Sequence, residues 1–193
     1  MERRSTDIRE LRVERAEGRA TRIGGYAALY NSESMDLGGF VERIAAGAFD
    51  GSLAGDVRAL WNHDPNHVLG RTQAGTLRLS SDARGLGFEV DLPDTTLGRD
   101  VAVSIERRDV SGMSFGFRTI RDQWAKLGPG KWLRTLLEAE LFDVSPVTFP
   151  AYPQTEVGLR SLNDAGDALS GYRAAIAAEE ARVRRLRLLE LGA

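Results

Sequence analysis

Cysteine is absent from the 193 residues, and histidine occurs only twice. The lack of cysteine excludes disulfides, thiolate metal sites and a cysteine nucleophile. No apolar run approaches the roughly 18 residues that a membrane-spanning helix needs. The charged opening MERRSTDIRE has no apolar stretch behind it, unlike a secretory signal. We therefore expect a soluble protein that is made and used without export.

An excess of charge of one sign is also missing. Lys and Arg together number 26, Asp and Glu 28, and the formal net charge is −2. A chain this close to neutral has no overall electrostatic attraction for nucleic acid or for anionic lipid. Nucleic acid and membrane are therefore not expected partners, and the arginines of 181–189 are expected to form a solvated helix face.

Alternation of apolar and polar residues dominates the first part of the chain and predicts strands. The clearest hairpin is predicted over 75–92. One convincing helix is predicted over 95–109, with a threonine at its N-cap position. Residues rich in Ala, Arg, Glu and Leu then predict an amphipathic C-terminal helix. We expect an α+β fold, mainly β, with a domain at 1–160 and a helical tail at 161–193.

The stretch VSGMSFGFRT predicts a strand with two very different faces. One face carries large apolar side chains, and the other is reduced to a hydroxyl between two glycines: Met113, Phe115 and Phe117 against Gly112, Ser114 and Gly116. Ser114 is either a nucleophile in a groove or a small residue under a packing contact. The glycines leave room for a substrate backbone, and the strand could pair with an extended peptide.

A serine nucleophile needs a base to remove its proton, and histidine does this best near neutral pH. His63 continues the apolar face of the strand before it, so that strand can anchor the imidazole. His67 lies further into a polar loop. His63 is therefore the preferred base for Ser114.

The imidazole also needs a third group that fixes its tautomer. Since no histidine follows Ser114, this group should be a carboxylate. Asp143 is the best placed, near the end of the strand that reads AELFDVS. Glu140 and Glu138 are the alternatives, and in a regular strand they face away from Asp143.

A metal site is a competing interpretation of the same histidines. His63, Asp64 and His67 together could ligate an ion, and the i, i+4 spacing of the histidines suits a helix. Pro65 between them argues against a regular helix, and we expect no metal.

Six segments in a fixed order resemble the head-maturation (prohead) proteases of tailed bacteriophages, over roughly residues 22–160. They are GYAALYN, FVERIAAGAF, LWNHDPNHVLGRT, SDARGLGFEVDLPDTTLGRD, SGMSFGF and LFDVSPVTFPAYP. The family is similar in fold to the herpesvirus capsid-assembly proteases. The resemblance therefore implies a small antiparallel β-barrel surrounded by a few helices.

The resemblance also implies a serine endopeptidase without a cofactor. Such an enzyme acts inside the assembling prohead, in the cytoplasm of the bacterial host, and cleaves the major capsid protein, the scaffold segment and often itself. Carried over by motif, the catalytic residues are His63, Ser114 and Asp143, although relatives carry the longer glutamate at the last position. Gly112 and Gly116 would then border the substrate.

The tail at 161–193 is expected to dock on the shell or to self-associate, and self-cleavage near 161–166 would release it. The alternative function is a non-catalytic assembly protein of the phage head, with the strand-rich domain as a binding module and the tail as a scaffold.

Overall fold

Strands make up most of the described chain because apolar side chains recur with a period of two along it. The computed structural model describes residues 1–7, 11–15, 20–128 and 131–149. In chain order the elements are β1 (Glu2–Asp7), β2 (Arg12–Glu14), β3 (Arg22–Leu29), β4 (Phe40–Ile44), a 3-10 turn (Asp50–Ser52), β5 (Arg58–Trp61), β6 (Asp64–Arg71), β7 (Leu77–Ser81), β8 (Gly85–Asp91), α1 (Thr96–Glu106), β9 (Gly112–Gly128) and β10 (Lys131–Val147).

The strands form two sheets. The larger has the order β1-β9-β10-β5-β6, with β4 also paired to β10, and the smaller has the order β2-β3-β8-β7. The expected α+β fold, mainly β, is thus confirmed. The described strands form no closed barrel, so the predicted barrel is not confirmed. The larger sheet is also mixed instead of antiparallel, because β4 and β5 both run parallel to β10.

The core lies against the apolar face of β9. Met113, Phe115 and Phe117 are all buried, as the alternation predicted. Phe49, which follows β4, presents its ring edge-on to Phe115 and Phe117, with ring centroids 5.5 and 6.5 Å away. Burial of each such side chain contributes about 1.5–3 kcal/mol. This packing fixes which face of β9 carries Ser114.

The predicted hairpin and helix are both confirmed. β7 and β8 pair in antiparallel fashion, and α1 begins where the Thr95 hydroxyl accepts a hydrogen bond from the Gly98 amide at 3.2 Å. The helix ends at Glu106, three residues earlier than predicted. The chain then turns through Arg108, whose φ of 66° lies outside the helical region.

β1, at the N-terminal end of the chain, was not predicted, since its residues carry no apolar alternation. The helix expected within 161–193, and the domain boundary before it, fall outside the described residues. Within the part of the chain that is described, no helix is both long and apolar enough to cross a membrane.

Candidate active site

Ser114 lies on β9 between two neighbouring strands, with Ser5 of β1 opposite it on one side and Ser145 of β10 on the other. Its side chain is on the face away from the phenylalanines. The residue is only 1% exposed. A buried hydroxyl needs hydrogen-bond partners. Ser114 Oγ has two, His63 Nε2 and the Arg4 carbonyl oxygen.

His63 is held at the tip of a two-residue hairpin turn between β5 and β6, whose flanking residues Trp61 and Asp64 pair. Asn62 and His63 both have positive φ, 52° and 58°. Positive φ at both central residues is the pattern of a type I′ turn, which suits the twist of a hairpin. Side chains with a Cβ seldom adopt this conformation, so surrounding contacts must hold it.

Those contacts come from the end of β10. The Asn62 amide donates to the Pro146 carbonyl at 3.1 Å, and the Thr148 amide donates to the Asn62 side-chain oxygen at 2.9 Å. The turn that carries His63 is thereby tied to the strand that carries Asp143. Sequence reasoning missed Asn62, although an asparagine next to the candidate base is a signal for a tight turn.

Asp143 reaches the site because of a β-bulge. On β10, Leu141 lies opposite Phe117 and Asp143 lies opposite Gly116, so Phe142 is the extra residue. A bulge of this kind reverses which side chains point to each face. Without it, Asp143 would share the buried face of Leu141. With it, Asp143 faces the same side of the sheet as Ser114.

The three predicted residues form one hydrogen-bonded chain. His63 Nδ1 lies 2.5 Å from Asp143 Oδ1, and His63 Nε2 lies 2.6 Å from Ser114 Oγ. An ionised carboxylate only accepts hydrogen bonds, so it selects the tautomer with the proton on Nδ1. Nε2 is then free to accept a proton from the serine hydroxyl. This arrangement can support nucleophilic attack on a carbonyl carbon.

Further contacts position the carboxylate. The Ser145 hydroxyl donates to Asp143 Oδ1 at 2.7 Å, while Oδ2 is buried without a hydrogen-bond partner in the described structure. Oδ2 lies against Gly116, where an added Cβ would overlap it. The space beside Gly116 holds the Asp143 carboxylate and the terminal methyl group of Met1, and contact of Gly116 with a substrate stays a prediction. Gly112 is buried next to Ser114 on the same strand.

The alternative carboxylates do not contact His63. Glu140 forms an ion pair with Arg118, and Glu138 approaches Arg121 at 3.8 Å. The bulge has one effect that a regular strand would not give: Glu140 faces the same side as Asp143, since their partners Arg118 and Gly116 are two residues apart on β9.

His67 and Asp64 are also separate from the hydrogen-bonded chain. They pair with each other at 3.1 Å on the exposed part of β6, so the proposed metal-ligand set of His63, Asp64 and His67 is not brought together. Within the described ranges, no group of three potential ligands is placed to hold a metal ion.

A second cluster of charges lies beside the site, along β1. Arg134 donates to Glu2 at 2.7 Å, to Glu42 at 3.1 Å and to Asp122 at 2.7 Å. Burial acts to raise the pKa of Glu2, but hydrogen bonds and charges, those of Arg134 above all, outweigh it and hold this pKa below its ordinary value. The lowered pKa means that Glu2 is held in its charged form beside Arg134.

Comparison with known families decides where the chain belongs. The sequence model of the caudovirus prohead serine proteases matches residues 7–167. The chain belongs to this family. The match includes all three residues of the hydrogen-bonded chain.

One curated protein and one solved structure are similar over much of the chain. The prohead protease of Enterobacteria phage HK97 is 26% identical over 146 residues, which cover 73% of this chain and 60% of the relative. The chain thus spans only about three fifths of that protein's length. The structure of the bacteriophage T4 capsid assembly protease aligns over 76% of this chain and 99% of its own, with 9% identity and a TM-score of 0.47.

Proposed function

We propose that the chain is a serine endopeptidase of phage head maturation. Its substrates are the major capsid protein and the scaffold segment. The observation that carries this proposal is the unbroken chain of hydrogen bonds from Asp143 through His63 to Ser114. Membership of the prohead protease family supplies the biological setting, which is the assembling prohead in the cytoplasm of the bacterial host.

The reaction follows from the order of the groups. His63 Nε2 takes the Ser114 proton as Oγ attacks the scissile carbonyl carbon, and an acyl-enzyme forms when the protonated His63 gives its proton to the leaving amine. A water molecule, deprotonated by His63, then releases the acyl group. Asp143 holds the ring in the required tautomer and stabilises its positive charge, and Ser145 holds Asp143 in turn.

The burial of Asp143 and His63 supports the roles given to them here. Asp143 is 2% exposed, and the His63 side chain is 8% exposed. In such a water-poor environment the attraction between a carboxylate and a developing imidazolium is stronger than in bulk water. Proton transfer by a positioned base contributes about 10²–10⁴-fold to rate.

The test is co-expression of the full chain with its cognate major capsid protein, with mass analysis of the capsid protein. Ser114→Ala and His63→Ala should each abolish trimming, whereas His67→Ala, a matched change at the exposed histidine, should leave it unchanged. A fluorophosphonate probe should label Ser114. Trimming that persists in Ser114→Ala would contradict the mechanism and would favour the non-catalytic assembly role.

A further inference from the structure

β1 lies beside Ser114 on the side of β9 where an extended peptide could pair with the strand. β10 pairs with one side of β9, and β1 pairs with the other, in antiparallel register with Ser5 opposite Ser114. A substrate strand that binds by backbone pairing next to the nucleophile would use this same side of β9. The strand Glu2–Asp7 therefore occupies the natural binding position.

The backbone of β1 also engages the nucleophile directly. Ser114 Oγ lies 2.9 Å from the Arg4 carbonyl oxygen, within range for its hydroxyl to donate a hydrogen bond. The single hydroxyl proton thus has two acceptors within reach, Arg4 O and His63 Nε2. The Arg4 carbonyl group therefore lies beside the serine, and no second peptide can pair with this side of β9 until β1 leaves.

The side chain of Arg4 shows what this position recognises. Its guanidinium makes a two-pronged contact with Glu42, with Nε 2.7 Å from Oε1 and Nη2 2.9 Å from Oε2. The Arg4 guanidinium carbon also lies 5.5 Å from the ring centroid of Phe117. Bidentate pairing and a nearby ring face are features that suit arginine specifically.

The charges left behind by β1 favour a cation. Departure of β1 removes both Arg4 and Glu2, so Glu42 and Asp122 remain with Arg134 as their nearby cation. With β1 in place Glu42 is only 4% exposed, and a largely buried carboxylate that loses one of its two guanidinium partners is costly. An incoming arginine restores the lost contact.

We propose that Glu42 is a specificity-determining residue that selects an arginine in the substrate, at the residue whose carbonyl faces Ser114, and that β1 is the internal occupant of this position. The inference rests on the proposed function and adds its substrate preference. Lysine should bind less well than arginine, since a single ammonium group cannot reproduce the two-pronged contact.

The test measures binding in a chain that cannot cleave. The full chain with Ser114→Ala and Arg4→Ala is titrated with a fluorescein-labelled peptide of sequence ERRSTD. A second peptide carries citrulline, the neutral analogue of arginine, at the third position. We expect the arginine peptide to bind at least tenfold more tightly. Equal affinities, or no binding of either peptide, would overturn the proposal.

Two further variants test whether Glu42 is the group that distinguishes the arginine peptide from the citrulline peptide. Adding Glu42→Gln should remove the difference between the peptides. Adding Asp122→Asn, which also alters a partner of Arg134 but not of Arg4, should preserve it. Loss of discrimination in both variants, or in neither, would show that Glu42 is not the recognising group. Circular dichroism verifies that each variant is folded.

A last comparison tests whether β1 occupies the peptide-binding position and competes with the peptide. In the chain with Ser114→Ala alone, Arg4 is intact and β1 competes, so the arginine peptide should bind several-fold more weakly than when Arg4→Ala is also present. Equal binding would show that β1 does not occupy the site. Because this assay needs no catalysis, its failure is distinct from failure of the proposed function, which persistent trimming in Ser114→Ala would reveal.

Discussion

Gly116→Ala tests the active-site geometry at a position that touches neither the substrate bond nor the imidazole. An added Cβ would overlap Asp143 Oδ2, and ordinary contacts of a Cβ lie at 3.4–4 Å. The carboxylate must therefore withdraw by about 1 Å or more, which breaks its short contact with His63. A displacement of about 1 Å can cost about 100-fold in rate.

We expect kcat/KM to fall by about 100-fold, which corresponds to about 2.7 kcal/mol of transition-state stabilisation. Crowding of the buried site should lower the free energy of unfolding by about 1–3 kcal/mol. The assays are hydrolysis of a peptide from the capsid protein and urea denaturation. Gly128→Ala is the matched control on the same strand, because a Cβ there has nothing within 4 Å. Wild-type activity in Gly116→Ala would refute the assigned position of Asp143.

Two other substitutions test the supporting structure. Ser145→Ala removes the hydroxyl that donates to Asp143 Oδ1, so kcat should fall by about 10- to 150-fold, since a hydrogen bond to a charged group contributes about 1.5–3 kcal/mol. KM should stay unchanged, and a rise in KM alone would contradict a positioning role. Asp91→Asn tests pH dependence: hydrogen bonds from Arg78 lower the pKa of Asp91 to about 2, so its contribution is complete above about pH 4 and is lost as pH falls towards 2. Over that interval the unfolding free energy of the wild type should fall by up to about 1 kcal/mol more than that of Asp91→Asn, and identical pH profiles would contradict this.

Elements specified by their own local sequence could be predicted. The hairpin of β7 and β8 has alternating apolar residues on both arms, and α1 has Thr95 in place to cap it. The buried face of β9 was likewise evident from Met113, Phe115 and Phe117. In each case the signal lies within a few residues and needs no tertiary contact to be recognised.

β1 could not be predicted, because it is held by partners far away in the sequence. Its residues are mostly charged, and Arg4 is paired with Glu42 while Glu2 is paired with Arg134. Ion pairs between distant segments leave no periodic pattern. A charged segment read by itself is typical of an exposed end of the chain.

Asp143 could be named as the third site residue, but strand periodicity alone could not establish which way its side chain faces. The bulge at Phe142 decides that direction, and nothing in the local residue types marks where the extra residue falls. The turn at Asn62 and His63 was hidden for a related reason. Histidine stands where a type I′ turn usually has glycine, and only the contacts of this turn to β10 make that conformation acceptable.

The parallel pairing of β4 and β5 with β10 affects how the protein folds during its synthesis. These pairs join Phe40 to Trp132 and Arg58 to Asp143, so they can form only after most of the described chain has been synthesised. Contacts this distant in sequence form slowly. At about 5–20 residues per second, Asp143 leaves the ribosome roughly 1.5–6 s after Ser114. A nascent chain therefore carries its serine and histidine for a time without the strand that would unite them.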